Sequence, residues 1–167
     1  MTSNHNAAAT IRDEQSCDAD AVHALLLECF PTAAEANLVR QLRQDGDTAF
    51  SFVALAADAV VGHVVFSRLV APKDCLALAP VAVTTSSRRR GIAAALIEAG
   101  IARAKAQGVA MLVVLGDPAY YRRFGFRGHT VRGMTSPYAG PNLMGLALAM
   151  DRSPGDAIVH PPAFESV

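Results

Sequence analysis

The sequence contains no tryptophan and three cysteines, Cys17, Cys29 and Cys75. They are odd in number, scattered, and without metal-ligand spacing, so a reduced environment is the simplest reading. A basic excess is missing too, because fifteen Lys and Arg are balanced by fifteen Asp and Glu. Nucleic-acid binding draws on phosphate neutralisation, and this balance counts against it. No apolar run approaches the roughly 20 residues of a membrane span. Residues 1–9 lack the basic and apolar regions of a secretory signal. The expectation is a soluble cytoplasmic protein with no membrane or nucleic-acid partner and a flexible lead over residues 1–9.

What the chain has in quantity is apolar residues, 51% of 167, enough for a real core. Thr10–Arg12 reads as a first strand. Asp18 or Asp20 can cap a helix that runs to Phe30 and stops at Pro31. A second helix follows at about Ala33–Arg43. Phe50–Ala56 and Val60–Phe66 read as a hairpin around Ala57-Asp58-Ala59. A strand at Leu76–Val83 leads into a long helix, Gly91–Gln107, with Gly108 as its natural stop. Ala110–Leu115 is a short continuous apolar strand, as for one covered on both faces. Strand, helix, strand implies a parallel pair with a right-handed crossover. A short helix over Ala119–Arg123 and a last strand over Leu143–Met150 complete a unit spanning 10–150. Residues 151–167 form a proline-containing, extended tail, packed on the unit or extending from it.

The stretch Val81-Ala82-Val83-Thr84-Thr85-Ser86-Ser87-Arg88-Arg89-Arg90-Gly91-Ile92-Ala93 carries the most chemistry. A strand enters a polar turn, three arginines and a glycine follow, and a helix begins. Free N–H groups at the helix N-terminus, the helix dipole and the arginines together suit a phosphate anion. Gly91 lets the backbone approach a ligand closely.

Three segments resemble the GNAT superfamily of N-acetyltransferases, in a small bacterial branch of uncharacterised members. They are Val81-Ala82-Val83, then Arg88-x-x-Gly91-x-Ala93, then Tyr121-Arg122-Arg123-Phe124-Gly125-Phe126. The first two resemble the family's acetyl-CoA motif and the third its Tyr-x-x-x-Gly-Phe segment. The resemblance implies an α/β fold of the mixed, α+β kind: a central mixed sheet with a splayed parallel strand pair, flanked by helices. It implies acetyl-CoA as cosubstrate, with no metal. The pyrophosphate falls to Arg88, Arg89, Arg90, Gly91, Ile92 and Ala93, and the pantetheine to the backbone of Val81, Ala82 and Val83. Pro80 removes a donor and marks a bulge or splay.

The implied reaction is acetyl transfer to a primary amine by direct attack in a ternary complex. Tyr121 holds the family's position for the general acid that protonates the leaving thiolate, with Tyr120 as packing or substrate wall. Deprotonating an amine of pKa about 10.4 near pH 7 costs on the order of 4–5 kcal/mol. Many family members carry a carboxylate on the strand before the motif, and Cys75–Val83 has none. Glu28, Glu35, His63 and Asp117 are candidate bases, and none is singled out. Asp117 also reads as a helix cap and His63 as an outward strand histidine. Cys75 reads as a core residue, and His129 and His160 lack metal spacing.

The acceptor is a small-molecule or peptide amine, its pocket built from Phe30–Arg43, Arg132–Gly145 and the tail. Arg40, Arg43 and Arg132 set no charge preference there. Antibiotics, polyamines, amino acids and protein N-termini stay open. A homodimer through an exposed edge strand is compatible with the sequence. The rival reading is a non-catalytic acyl-CoA-binding or regulatory module on the same fold. An ATP binder ranks below it, because the turn lacks the Gly-x-x-x-x-Gly-Lys-Ser/Thr pattern.

Overall fold

The computed structural model describes residues 8–149 and 155–167. Six strands form one sheet in chain order: β1 (Thr10–Asp13), β2 (Thr48–Ala56), β3 (Ala59–Arg68), β4 (Cys75–Val83), β5 (Met111–Leu115) and β6 (Leu143–Ala147). The helices are α1 (Ala19–Cys29), α2 (Ala34–Asp45), α3 (Ile92–Ala106) and the short α4 (Pro118–Tyr121). Neighbouring strands are antiparallel except β4 and β5, which are parallel. The expected mixed α/β sheet, with one parallel pair and flanking helices, is the observed fold.

Local chemistry explains the punctuation. Ala57 and Asp58 both adopt positive φ, 47° and 63°, as a two-residue hairpin between twisted strands requires. At the end of α3, Val109 N–H reaches Ala104 C=O at 3.0 Å and Gly108 N–H reaches Lys105 C=O at 3.1 Å. Gly108 supplies the left-handed residue that this double closure needs.

Each face of the sheet has its own cover. Phe50, Phe52, Ala54, Val64, Phe66, Leu76 and Leu78 pack against Ile92, Leu96, Ile97 and Ala104 of α3. Val53, Val65 and Ala82 pack against Val22, Leu25, Leu26, Ala36 and Val39 of α1 and α2. Strand alternation sorts these sets, with irregularities between β2 and β3 near Ala49 and Val61 and one between β3 and β4 that bears on the site. Phe66 pairs with Leu78, yet Val64 pairs with Val81. Two steps on β3 therefore match three on β4, so the extra residue lies at Ala79-Pro80. Past it the parity of β4 inverts: Leu76 and Leu78 face α3, and so do Val81 and Val83.

Some expectations are corrected. Asp18 sits at the N-cap of α1 but makes no side-chain bond to the helix. Its carboxylate instead accepts from Gln15 N–H at 2.7 Å and from both arms of Arg12 at 2.7 and 3.0 Å. The last strand stops at Ala147 rather than Met150, because Leu148 and Ala149 turn their N–H groups to Ala110 C=O; Met150 lies outside the described residues. The tail is not simply extended. It makes bridges at Ala157 and Val159, then a 3-10 turn over Pro162–Ser166, and buries Ile158, Ala163 and Phe164. Of the lead over 1–9, residues 1–7 lie outside the described residues.

His63 is the largest departure. It is fully buried rather than outward, with Nε2 2.9 Å from Glu14 Oε2. The other oxygen of Glu14 accepts from Arg43 of α2. Burial pushes the Glu14 carboxyl up, but the His63 and Ser51 hydrogen bonds and the charges of His63 and Arg43 hold it below its ordinary value. The triad ties the end of β1 to β3 and to α2.

Two outcomes follow from these contacts. A Cβ at Gly100 would lie 2.0 Å from Cζ of Phe66, a fully buried ring. Gly100→Ala should therefore cost about 1–3 kcal/mol of stability in denaturant unfolding, with partial recovery when Phe66→Leu is added. The hydrogen bond from Arg12 holds the Asp18 carboxyl at about 2, against an ordinary 3.8. A depressed carboxylate adds stability above its unfolded value and loses it as pH falls through the folded one. Asp18→Asn should lower the Tm at neutral pH, and the gap from the parent should close between about pH 4 and about pH 2.

Candidate active site

The parallel pair opens where the bulge sits. The pairing of β4 with β5 runs from Cys75↔Met111 to Leu78↔Val114 and goes no further. Beyond it β4 continues beside β3 alone. Thr84 N–H bonds Val61 C=O at 2.9 Å, and this fixes the phase of the ladder. Ala82 opposite His63 turns its N–H and C=O to β3, whereas Val81 and Val83 turn theirs to the vacated side. The Ala82 methyl lies in the α1–α2 core, so neither its side chain nor its backbone faces the opening. The Val83 carbonyl accepts from Arg88 Nε at 3.2 Å and Cys29 Sγ at 3.3 Å.

A cleft of about 290 Å³ lies at the end of this strand, lined by Val83, Ser87, Arg88, Arg89, Gly91, Ile92 and Ala93 with Tyr120 and Arg123. Arg89 has φ 62° and Gly91 φ 76°. Helix geometry leaves the N–H groups of Gly91, Ile92, Ala93 and Ala94 without acceptors one turn back, and the helix dipole adds positive potential there. Arg90 lines an adjoining hollow with Ala9, Ile11 and Ala56, which shares Ser87, Gly91 and Ile92 with the cleft. The triple-arginine turn thus borders two adjoining hollows, Arg88 and Arg89 on one and Arg90 on the other.

The adjacent tyrosines also part company. Tyr120 lines the arginine cleft, with the Arg123 guanidinium 4.4 Å from its ring centre. Tyr121 lines a second cavity, of about 300 Å³, in the mouth of the splay. Its ring stands edge-on to Tyr120 and Phe126, at centroid distances of 5.1 and 5.9 Å. Gly116 makes room for it, since a Cβ there would meet Tyr121 Cε2 at 2.5 Å. Burial pushes the Tyr121 hydroxyl up to about 12, with a contribution from Tyr120, so it stays protonated at neutral pH.

The second cavity joins segments far apart in sequence. Val81, Val113 and Leu115 come from the splayed strands, Phe30, Glu35 and Leu38 from the α1–α2 region, and Tyr138, His160 and Phe164 from the last third of the chain. All three segments expected to form an acceptor pocket contribute, but Arg40, Arg43 and Arg132 do not line it. The Tyr138 hydroxyl donates to Phe164 C=O at 3.3 Å, and the His160 ring packs between Tyr138 and Phe164 at 5.0 and 4.8 Å. His160 carried no signal in the sequence beyond its proximity to Pro161 and Pro162.

The four candidate bases separate by their partners. Glu28 is exposed and accepts from Thr85 N–H at 3.2 Å. Asp117 caps α4, accepting from Ala119 N–H at 2.9 Å. His63 is held by Glu14 inside the core. Glu35 alone of the four lines the cavity, and its Oε2 is buried without a hydrogen-bond partner. Cys75 is 1% exposed and lies in the core. Among the described residues, no three His, Cys, Asp or Glu side chains cluster as metal ligands do, and no helix is long and apolar enough to cross a membrane.

A sequence profile of the Acetyltransferase (GNAT) family matches residues 19–126. The uncharacterized N-acetyltransferase YhbS of Escherichia coli (strain K12) is 40% identical over 120 residues, which is 70% of this chain and 72% of that protein. The crystal structure of Escherichia coli YhbS in complex with CoA superposes with a TM-score of 0.89 at 31% identity, covering 99% of this chain and 96% of that one. A GNAT family acetyltransferase from Brucella melitensis in complex with acetyl-CoA gives 0.80 at 29% identity, covering 93% and 97%. By its matched residues, its relatives and its splayed mixed sheet, the chain belongs to the Acetyltransferase (GNAT) family.

Proposed function

We propose that the chain transfers an acetyl group from acetyl-CoA to a primary amine by direct attack in a ternary complex. One observation carries this reading. The free edge of β4 runs between the two cavities, with Val83 lining the arginine cleft and Val81 the splay. A pyrophosphate on the N–H groups of residues 91–94 would send its pantetheine arm along that edge. The N–H and C=O of Val81 and the N–H of Val83 would bond it as an added strand, the Val83 carbonyl being held by Arg88 and Cys29. The thioester would then arrive beside Tyr121. The CoA and acetyl-CoA bound in the Escherichia coli and Brucella melitensis structures support the same donor here.

Holding thioester and amine together supplies much of the rate. The amine lone pair attacks the carbonyl carbon, and the tetrahedral intermediate collapses with cleavage of the C–S bond. The leaving thiolate takes the Tyr121 proton, and the resulting phenolate takes the surplus proton from the new amide nitrogen. Cys75 is sealed in the core, which leaves no acyl-enzyme route through it.

Tyr121→Phe should lower kcat by about 100-fold while leaving acetyl-CoA affinity unchanged in calorimetry. Binding with no turnover in the parent protein, across amines and peptides, would favour the non-catalytic module instead. Arg89→Gly separates backbone from side chain in the turn. Glycine adopts its left-handed φ without the cost of about 1 kcal/mol that a side chain incurs, so affinity for CoA should stay within about threefold if the backbone N–H groups dominate.

A further inference from the structure

The balanced net charge is unevenly distributed along the chain. Between Asp117 and Asp151 the sequence has no acidic residue, yet it has Arg122, Arg123, Arg127, His129 and Arg132. All five are exposed. Arg12, Arg43 and Arg103, elsewhere, have the carboxylate partners Asp18, Glu14 and Asp13. Among the described residues, none of Arg122, Arg123, Arg127 and Arg132 forms an ion pair. Of the acids near them, Asp117 caps α4 and Glu98 faces Tyr120. Exposed cations gathered without counter-charges repel one another, and a set of four points to an anionic partner.

The four form an arc that begins at the arginine cleft. Arg123 lines the cleft with Arg88 and Arg89, and it is held over the Tyr120 ring with Nε donating to Tyr120 C=O at 3.1 Å. Arg127 Nη1 donates to Arg122 C=O at 2.9 Å, which sets Arg127 beside that turn. The Arg127 backbone exchanges two hydrogen bonds with Gly145 of β6, at 2.9 and 3.0 Å. The arc thereby reaches the outer edge of the sheet, and the 3-10 turn over Gly128–Val131 leads on to Arg132. Tyr120, Phe124 and Phe126 pack into the α3 core, so the arc starts on the α3 face. Leu38 and Phe164, which line the splay cavity, belong to the core under α2. An anionic partner on the arc is therefore on the side where the pyrophosphate would enter, away from the walls that α2 and the tail give to the cavity.

We infer that the arc docks an acidic carrier protein that delivers the acyl group on its own phosphopantetheine arm, as a second donor beside acetyl-CoA. This rests on the acetyl-transfer reading above. The N–H groups of residues 91–94 suit a phosphate, and the free edge of β4 suits a pantetheine arm. A carrier protein offers both of these, and in place of a nucleotide it offers a surface of carboxylates to the arc. A nucleic acid would meet the same charges but has no arm to lay along β4, and an acidic peptide would use the arc alone. Charge complementarity of this kind speeds encounter and sets orientation, as suits a transient complex that must deliver and leave. The transfer balances as before. The amine forms a bond to the acyl carbon and the C–S bond to the carrier arm breaks. The arm thiolate takes the Tyr121 proton, and the phenolate takes the surplus proton from the new amide nitrogen.

The test uses the full chain with an acidic acyl carrier protein in its holo form, bearing 4′-phosphopantetheine, and in its apo form. In calorimetry at about 50 mM salt the holo form should bind at least about tenfold tighter than the apo form, because arc and cleft are engaged together. Raising the salt to about 300 mM should weaken holo binding by about tenfold or more. The Arg122 and Arg132 side chains make no hydrogen bond among the described residues, so the double variant Arg122→Glu/Arg132→Glu should keep the parent Tm. It should bind the holo carrier about tenfold more weakly, while its Kd for CoA and its kcat/KM with acetyl-CoA stay within about twofold. Thiol release should also proceed from the acetylated carrier with amines and peptides as acceptors. Equal binding of holo and apo forms, a double variant that binds the holo carrier as the parent does, or tighter binding of polyuridine RNA or polyglutamate overturns the docking assignment and leaves transfer from acetyl-CoA standing. Transfer from acetyl-CoA but not from the acetylated carrier overturns the donor role. Holo-carrier binding with no thiol released from either donor overturns the catalytic reading and the donor role, and leaves the docking surface alone.

Discussion

The site depends on one surplus residue in β4. At Ala79-Pro80 the strand takes three steps where β3 takes two. That slip inverts which side chains face α3, and it coincides with the last rung between β4 and β5 at Leu78↔Val114. Without it the parallel pair could zip further, and the N–H and C=O groups of Val81 and Val83 would be consumed by β5. Proline suits the position because it offers no donor to the ladder it interrupts. The free edge of β4, the splay cavity and the opening between them all follow from that local mismatch.

Much of this was legible in the residues. The hairpin at Ala57-Asp58, the strand before the arginine turn and the stop at Gly108 are written in short-range chemistry. Apolar period, turn residues and caps all act within one element, so a linear reading captures them. The opening of the parallel pair was foreseeable from Pro80 because proline acts locally too.

What resisted reading was pairing between distant segments. Glu14 looked like one more acidic residue, yet it ties His63 and Arg43 together across three elements. His63 stays open in the sequence between a candidate base and an outward histidine, because strand alternation alone does not say which face is buried when both are covered. The spread of Arg88, Arg89 and Arg90 over two adjoining hollows goes with the left-handed φ at Arg89, which no propensity would assign to arginine. The contribution of the tail rests on Phe164 and His160 meeting Tyr138, an encounter that leaves no periodic trace. Glu35 was one of four equals in the sequence, and only the partners held by the other three set it apart.

The tail that helps to line the splay cavity stands outside the sheet. It is attached through bridges at Ala157 and Val159 and through buried Ile158, Ala163 and Phe164, and it provides no strand to the six-stranded order. The arginine cleft is built differently, from the interior strand β4 and the longest helix, and cannot be altered without disturbing the core. The protein therefore resembles a fixed tool holder with an exchangeable jaw. Changes confined to the last dozen residues would reshape the splay cavity while β4 and α3 stay as they are.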